Sequence, residues 1–256
     1  MRIDVLSLFP RMLEGPLGSS VIGQAAANGL LEIGLTDIRD FAKDKHRTAD
    51  DYQYGGGSGM VMKPEPIFEA IDHVLPDEGA RNRATVILLT ARGELFNQRF
   101  ARRLAGKEHL VFICGHYKGV DERVASLVDH EISIGDYVLT GGEPAAIVVI
   151  DAVARLVPGV LGDFESAETD SFFEDMLGPP LYTRPEEYRG HRVPEVLLSG
   201  HHERIRLWRR EQALRATLER RPDIVDAADL SEEDREILRR LSTSEERSSK
   251  SNEERS

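Results

Sequence analysis

With a single cysteine, Cys114, in 256 residues, the chain can form no intrachain disulfide and is poorly equipped for a cysteine-built zinc site. It has no uninterrupted apolar run long enough to span a bilayer, so no membrane partner is expected. The N-terminus, Met1-Arg-Ile-Asp-Val-Leu-Ser-Leu-Phe-Pro10, carries Asp4 inside its apolar run and offers no small-residue cleavage site. It reads as a first strand rather than a signal peptide, and the expected location is cytoplasmic. Cations are short as well: 33 Lys and Arg face 45 Asp and Glu, a net charge of −12. On the sum alone that argues against a nucleic-acid partner, since phosphate binding is built from Lys and Arg. No internal repeat is visible.

At 40% hydrophobic, the chain can bury a sizeable core in one large or two unequal domains. Ile3–Leu8, Ala84–Thr90, His109–Cys114 and Glu131–Ile134 read as strands. Pro16–Asn28, Asn97–Ala105, Asp121–Val128 and Pro144–Val157 read as helices. Such alternation predicts an α/β domain with a mostly parallel sheet. Three of the strands run into glycine-bearing turns: Thr90-Ala-Arg-Gly93, Cys114-Gly-His-Tyr-Lys-Gly119, and the loop containing Gly135 and Gly141-Gly142. Ligands of open α/β sheets collect at the carboxyl ends of strands, so these turns are expected to meet at one crevice. The segment Ser133–Pro144 is the most informative. Its paired glycines let backbone approach a ligand closely, and Pro144 suits the first turn of the apolar helix that follows.

Further along, residues 162–178 are acidic with little periodicity and read as a linker. Pro179–Pro194 is turn-rich. Glu203–Glu219 reads as a helix with Leu207, Leu214 and Leu218 on one face and Arg206, Arg209 and Arg210 on another. Ser231–Leu241 reads as a shorter helix, with Ser231 as N-cap and Asp234 placed as in a capping box. Ser242–Ser256 has almost no apolar residue and is expected to be disordered. The charge is uneven: Arg184–Arg221 holds ten arginines against six acids, a basic island pointing to a polyanion.

Several motifs have bland alternatives. Tyr54-Gly-Gly-Gly-Ser-Gly-Met60 lacks the Gly-Lys-Ser/Thr of a phosphate loop. It reads as a mobile surface loop, or, given Lys43, Lys45, His46 and Arg47 before it, as a substrate cover. Cys114, at the end of an apolar strand without a legible His/Asp partner, reads as a buried structural thiol. The adjacent His201 and His202 point in different directions in regular structure and make a poor metal site. Taken alone, Asp170 is a solvated loop carboxylate and Arg155 a helix-dipole partner. The arginines of the Glu203 helix are a solvated face by default.

Together the motifs carry a resemblance. Leu8-Phe-Pro10, Arg47–Asp51, Tyr54–Met60, Cys114–Arg123, Ser133–Glu143, Pro158–Gly162, Asp170-Ser-Phe172, Tyr182–Pro185, Val193–Gly200 and Arg220-Arg-Pro222 resemble, in order, segments of the bacterial tRNA (guanine-N1)-methyltransferases, the TrmD family of the SPOUT class. The resemblance spans about residues 1 to 240. It implies a SPOUT-type α/β domain with a deep trefoil knot (1–161) that binds S-adenosylmethionine. With the compositional linker (162–178) and the disordered acidic tail (242–256) read above, it further implies a small helical tRNA-binding domain (179–241), in an obligate homodimer. Carried over by motif, the cofactor lies against Gly115, Tyr117, Ile134, Gly135, Asp136, Tyr137, Val138, Leu139, Gly141 and Gly142, with Thr90 near the adenosine. Asp170 becomes the general base and Arg155 the group that stabilises charge on guanine O6. The implied product is N1-methylguanine at position 37 of tRNA, reached through the anticodon branch. Magnesium is a further cofactor the resemblance allows, although no ligand cluster is legible. An RNA-binding module without turnover and a ribosomal RNA methyltransferase are the alternatives. Two positions depart from the common pattern: Ala91-Arg-Gly93 stands where many members have Pro-Gln-Gly, and Lys118 where many have glutamate.

Overall fold

The computed structural model describes residues 1–162, 170–173, 175–227 and 230–241. They fall into two units, one ending at Gly162 and one beginning at Asp163. The first unit is built on five parallel strands in the order β2-β1-β6-β5-β7: β1 (Arg2–Ser7), β2 (Glu32–Asp37), β5 (Ala84–Leu95), β6 (His109–Cys114) and β7 (His130–Ser133). A parallel sheet needs a crossover after each strand and buries both its faces. The central strands show this directly. Leu110, Phe112 and Cys114 face one core, while Val111 and Ile113 face the other.

On the first face lie α1 (Arg11–Leu17), α2 (Ser20–Ala27), α5 (Gln98–Ala105) and α6 (Glu143–Ala154). The second face is covered by α3 (Pro64–Val74) and a 3-10 turn, Glu122–Leu127. A short hairpin of β3 (Asp50–Tyr52) and β4 (Met60–Met62), and the six-residue α4 (Glu78–Arg83), complete the unit. Among the described residues no helix is long and apolar enough to cross a membrane.

The predicted parallel sheet is present, and several local expectations need correction. The single helix expected over Pro16–Asn28 is two, because the chain leaves α1 at Gly18, whose N–H caps Glu14 O, and turns extended at Ser19. The helix expected over Asp121–Val128 is only a 3-10 turn, capped by Asp121; one buried side chain, Val124, gives it no continuous apolar stripe. The β5 strand continues past Thr90 to Leu95, with a shift in its pairing to β7 between Leu89 and Glu94. Asp4, the acid in the first strand, is buried and held by Arg2 Nε at 2.8 Å and His109 Nε2 at 2.7 Å. Burial alone would raise its pKa, but those hydrogen bonds hold the carboxyl below its ordinary value.

In the second unit, β8 (Glu187–Tyr188) and β9 (His191–Arg192) form a small hairpin, followed by α7 (Glu195–Leu198), α8 (His202–Arg220), α9 (Pro222–Ala227) and α10 over residues 232–241. Leu214 packs with Met176, Ile237 and Leu241. Leu177 N–H donates to Thr217 Oγ1, so this end of the stretch read as a linker is seated on α8. Residues 163–169 and 174 of that stretch, and the tail 242–256, lie outside the described residues. The buried stripe of α8 is Ala213, Leu214 and Thr217; Leu207, expected on it, is exposed.

The capping box at Ser231 forms. Ser231 N–H and Oγ both donate to Asp234 Oδ2, and Asp234 N–H donates back to Ser231 Oγ. Arg210 adds two hydrogen bonds, at 2.6 and 2.8 Å, to the same buried carboxylate. Arg210, then Ser231, hold the Asp234 carboxyl down at about 2 against the opposing effect of burial. An unfolded Asp titrates near ~3.9. Asp234 therefore contributes stability that is fully present above that value and lost as pH falls toward about 2. In urea unfolding, Asp234→Asn is expected to be less stable than the parent protein at neutral pH, with the gap closing between about pH 4 and pH 2.

Candidate functional site

A cavity of about 430 Å³ opens at the carboxyl ends of β5, β6 and β7. Its walls come from the three segments singled out above, the first of them a stretch of β5 and not the turn expected: Leu88–Arg92, Gly115–Val120 with Glu122, and Ile132–Gly135 with Tyr137–Gly142. The predicted convergence of these segments is therefore present in the fold. The segment after β7 crosses back to the end of β6, where Gly142 N–H donates to Gly115 O at 2.8 Å and His116 bridges Gly141. A Cβ on Gly142 would lie 2.7 Å from Cys114 Cα, and one on Gly141 would collide with the side chains of His116 and Glu143. Only glycine permits this backbone-on-backbone approach.

The Gly-rich β3–β4 hairpin is anchored to one wall. Lys118 N–H donates to Met60 O at 3.0 Å, Met62 N–H to Gly119 O at 2.9 Å, and Asp121 N–H to Met62 O at 3.0 Å. Its tip carries the exposed Tyr52 and Tyr54. Across the mouth, Arg92 donates to Glu122 at 2.8 Å. The unusual Ala91-Arg-Gly93 stretch of β5 thus places an ion pair at the rim. Cys114 is fully buried, and burial, with the Glu143 carboxylate adding to it, pushes its thiol well above the ordinary value. That fits a structural thiol rather than a nucleophile.

The family profile described as tRNA (Guanine-1)-methyltransferase TrmD matches residues 1–227. The chain belongs to the TrmD family. It is 57% identical over 241 residues to the tRNA (guanine-N(1)-)-methyltransferase of Desulforudis audaxviator, covering 94% of this chain and 96% of that one. The enzyme of the same name from Moorella thermoacetica is 56% identical over 246 residues, 96% of this chain and 98% of its own. That of Desulforamulus reducens is 55% identical over 242 residues, 94% and 95% respectively.

Of the residues that the family resemblance singled out for the cofactor, Gly115, Tyr117, Ile134, Gly135, Tyr137, Val138, Leu139, Gly141 and Gly142 line the cavity, as does Thr90. Asp136 is exposed on the same turn, outside the lining. Arg155 caps α6 and borders a separate notch of about 290 Å³ with Asp151, Ser19 and Ser20. Asp170 is exposed and belongs to the second unit. Sequence reasoning missed Ser7, His116 and Glu143, which form a buried chain beneath the cavity: Ser7 Oγ donates to Glu143 Oε1 at 2.5 Å, and His116 Nε2 lies 2.9 Å from Glu143 Oε2. The available signal was an acid directly after Gly141-Gly142 and ahead of a largely apolar helix.

Gly142→Ala is expected to destabilise the protein by about 1–3 kcal/mol through overpacking. Gly115→Ala should cost less, because its methyl would meet a single Val120 methyl at 3.1 Å. Urea unfolding of the two variants checks the order.

Proposed function

We propose that this protein transfers a methyl group from S-adenosylmethionine to N1 of guanine at position 37 of tRNA. The observation that carries the reading is the glycine-walled cavity at the strand ends, in a chain of the TrmD family. The residues fit the cofactor. Gly141, Gly142 and Gly115 leave backbone exposed to a ligand, while Leu88, Ile134, Val138 and Leu139 offer apolar walls to a flat base. Gly115, Tyr117, Ile134–Leu139, Gly141 and Gly142 would hold it. When bound, S-adenosylmethionine supplies an electrophilic methyl group on a sulfonium.

The chain's own work concerns the acceptor. Guanine N1 carries a proton and is a poor nucleophile until that proton leaves. Asp170 takes it as general base. Negative charge then develops on O6, where the Arg155 guanidinium donates hydrogen bonds. As the family resemblance implies, the reading includes a homodimer with sites completed between copies. It is supported by Met12 on α1 and Val148 on α6, apolar side chains left 46% and 48% exposed on helices that touch each other. The deep trefoil knot is also part of this reading, supported by the return of the segment after β7 to the end of β6. So are the cytoplasmic location and the division into a cofactor domain (1–161), linker (162–178), tRNA-binding domain (179–241) and acidic tail (242–256).

The basic island serves the anticodon branch through phosphates, but not with all its arginines. Arg206 is tied to Glu203 and Glu233, and Arg210 to Asp234. Arg192, Arg215 and Arg221 are paired as well, whereas Arg184, Arg189, Arg204, Arg209 and Arg220 are exposed and make no ion pair among the described residues, so these five are the ones offered to RNA. Magnesium finds no protein ligand set: among the described residues no three of His, Cys, Asp or Glu gather around one point. No step is assigned to it.

The test is label transfer from S-adenosylmethionine to an unmodified tRNA transcript with guanine at positions 36 and 37, beside a twin with adenine at 37. Label confined to the guanine transcript supports the reading. Cofactor binding without label in either would favour an RNA-binding module without turnover, and label in ribosomal RNA instead would shift the substrate. Asp170→Ala is expected to lower turnover by about 10²–10⁴-fold with cofactor affinity retained. Full turnover in that variant would refute the general-base role.

A further inference from the structure

Glu143 is fully buried at the first turn of α6 and does not line the cavity. Burying a carboxylate is costly unless it is hydrogen-bonded, and both of its oxygens are engaged. Ser7 Oγ accepts the Phe9 N–H at 2.8 Å, which leaves its own proton for Glu143 Oε1 at 2.5 Å. His116 Nε2 meets Glu143 Oε2 at 2.9 Å. The order, with the carboxylate between the hydroxyl and the imidazole, keeps Ser7 away from His116 and rules out a Ser–His nucleophile here.

What the arrangement does is join three chain segments under the cavity: the end of β1, the turn after β6 and the start of α6. The imidazole of His116 is clamped further by the Phe9 ring, with centroids 4.8 Å apart, and the backbone N–H of His116 donates to Met62 Sδ at 3.1 Å. Next to it Tyr117 is held at φ +60, a left-handed conformation that a non-glycine residue keeps only where its surroundings dictate it. On the other side Gly141 lies against the His116–Glu143 pair with no room for a Cβ. Two walls of the cavity, Gly115–Gly119 and Gly141-Gly142, are therefore both referenced to one carboxylate.

We propose that Glu143 is a positioning residue for the methyl donor: acting through His116, it sets the spacing of the two glycine walls, and cofactor affinity depends on it. This inference rests on the cavity being the S-adenosylmethionine site. A purely structural role for the buried triad is the competing account, since removing one partner of a buried charged pair destabilises a fold.

A double-mutant cycle on the full-length protein separates the two, reading the S-adenosylmethionine dissociation constant by calorimetry and the ligand-free melting temperature. Glu143→Ala is expected to weaken binding on the order of ten- to hundredfold, the range for losing a hydrogen bond to a charged group. Glu143→Gln, which keeps an acceptor for Ser7 and a donor facing His116, should restore most of it. In a His116→Ala background, Glu143→Ala should cost nothing further in affinity. In turnover, the loss should appear in KM for the cofactor and not in kcat or in KM for tRNA. Unchanged affinity in Glu143→Ala, or an equal loss with and without His116, overturns the proposal. So does an affinity loss that tracks the fall in melting temperature across the set. If Glu143→Ala does not fold, Ser7→Ala replaces it in the same cycle with the same expected non-additivity. A parent protein that binds no S-adenosylmethionine overturns both this inference and the function it rests on.

Discussion

The cavity depends on how closely the segment after β7 can lie against the end of β6. Gly142 donates to Gly115 O at 2.8 Å, at a distance that leaves no space for a side chain beside Cys114. From that point α6 starts in a fixed direction and lays Ala145, Ala146, Val149, Ile150 and Val153 on the sheet. Burial of that apolar face, at roughly 25 cal/mol per Å² removed from water, holds the loop closed from one side. The buried Glu143 pair holds it from beneath. A wall of backbone, rather than of side chains, is the consequence, and it suits a ligand recognised by shape and by amide hydrogen bonds.

The two units use charge differently. In the first, the buried carboxylates are few and paired: Asp4 with Arg2 and His109, Glu143 with Ser7 and His116. In the second, charge is the main fabric of the surface, and exposed pairs such as Arg215 with Glu211 add little stability. The Arg210–Asp234 pair is the exception because its carboxylate is buried and also closes the N-terminus of α10. This internal use of arginine lowers the positive charge that α8 presents. A count of basic residues along the chain therefore overstates the surface available to a polyanion.

Much of this was legible in the sequence. The parallel sheet followed from continuous apolar runs alternating with helical periodicity, and the crevice from three glycine turns at strand ends. The capping box at Ser231 was readable because a cap is a local interaction between residues three apart. The misreadings have local causes too. Gly18 and the extended Ser19 interrupt what periodicity alone renders as one helix, and Val124 cannot sustain a helix by itself. β2 and the short hairpins carried too little pattern of their own, whereas α3 did carry the helical spacing, in Ile67, Ala70, Ile71 and Val74, and was passed over. Leu207 matched the spacing of Leu214 but stands exposed, with Ala213 and Thr217 taking the buried face instead.

The sequence by itself determined the class of fold, the glycines that would form a ligand site and the family to which they belong. Those features are encoded by residue type at short range: a missing Cβ, a two-residue alternation, a helix cap. Only the tertiary structure decided that Ser7, His116 and Glu143 meet, that Arg92 faces Glu122 across the cavity mouth, and that Arg206 and Arg210 are committed to acids. Each of these joins residues distant in the chain. Their geometry follows from how strands pair and helices pack, and no local pattern specifies it.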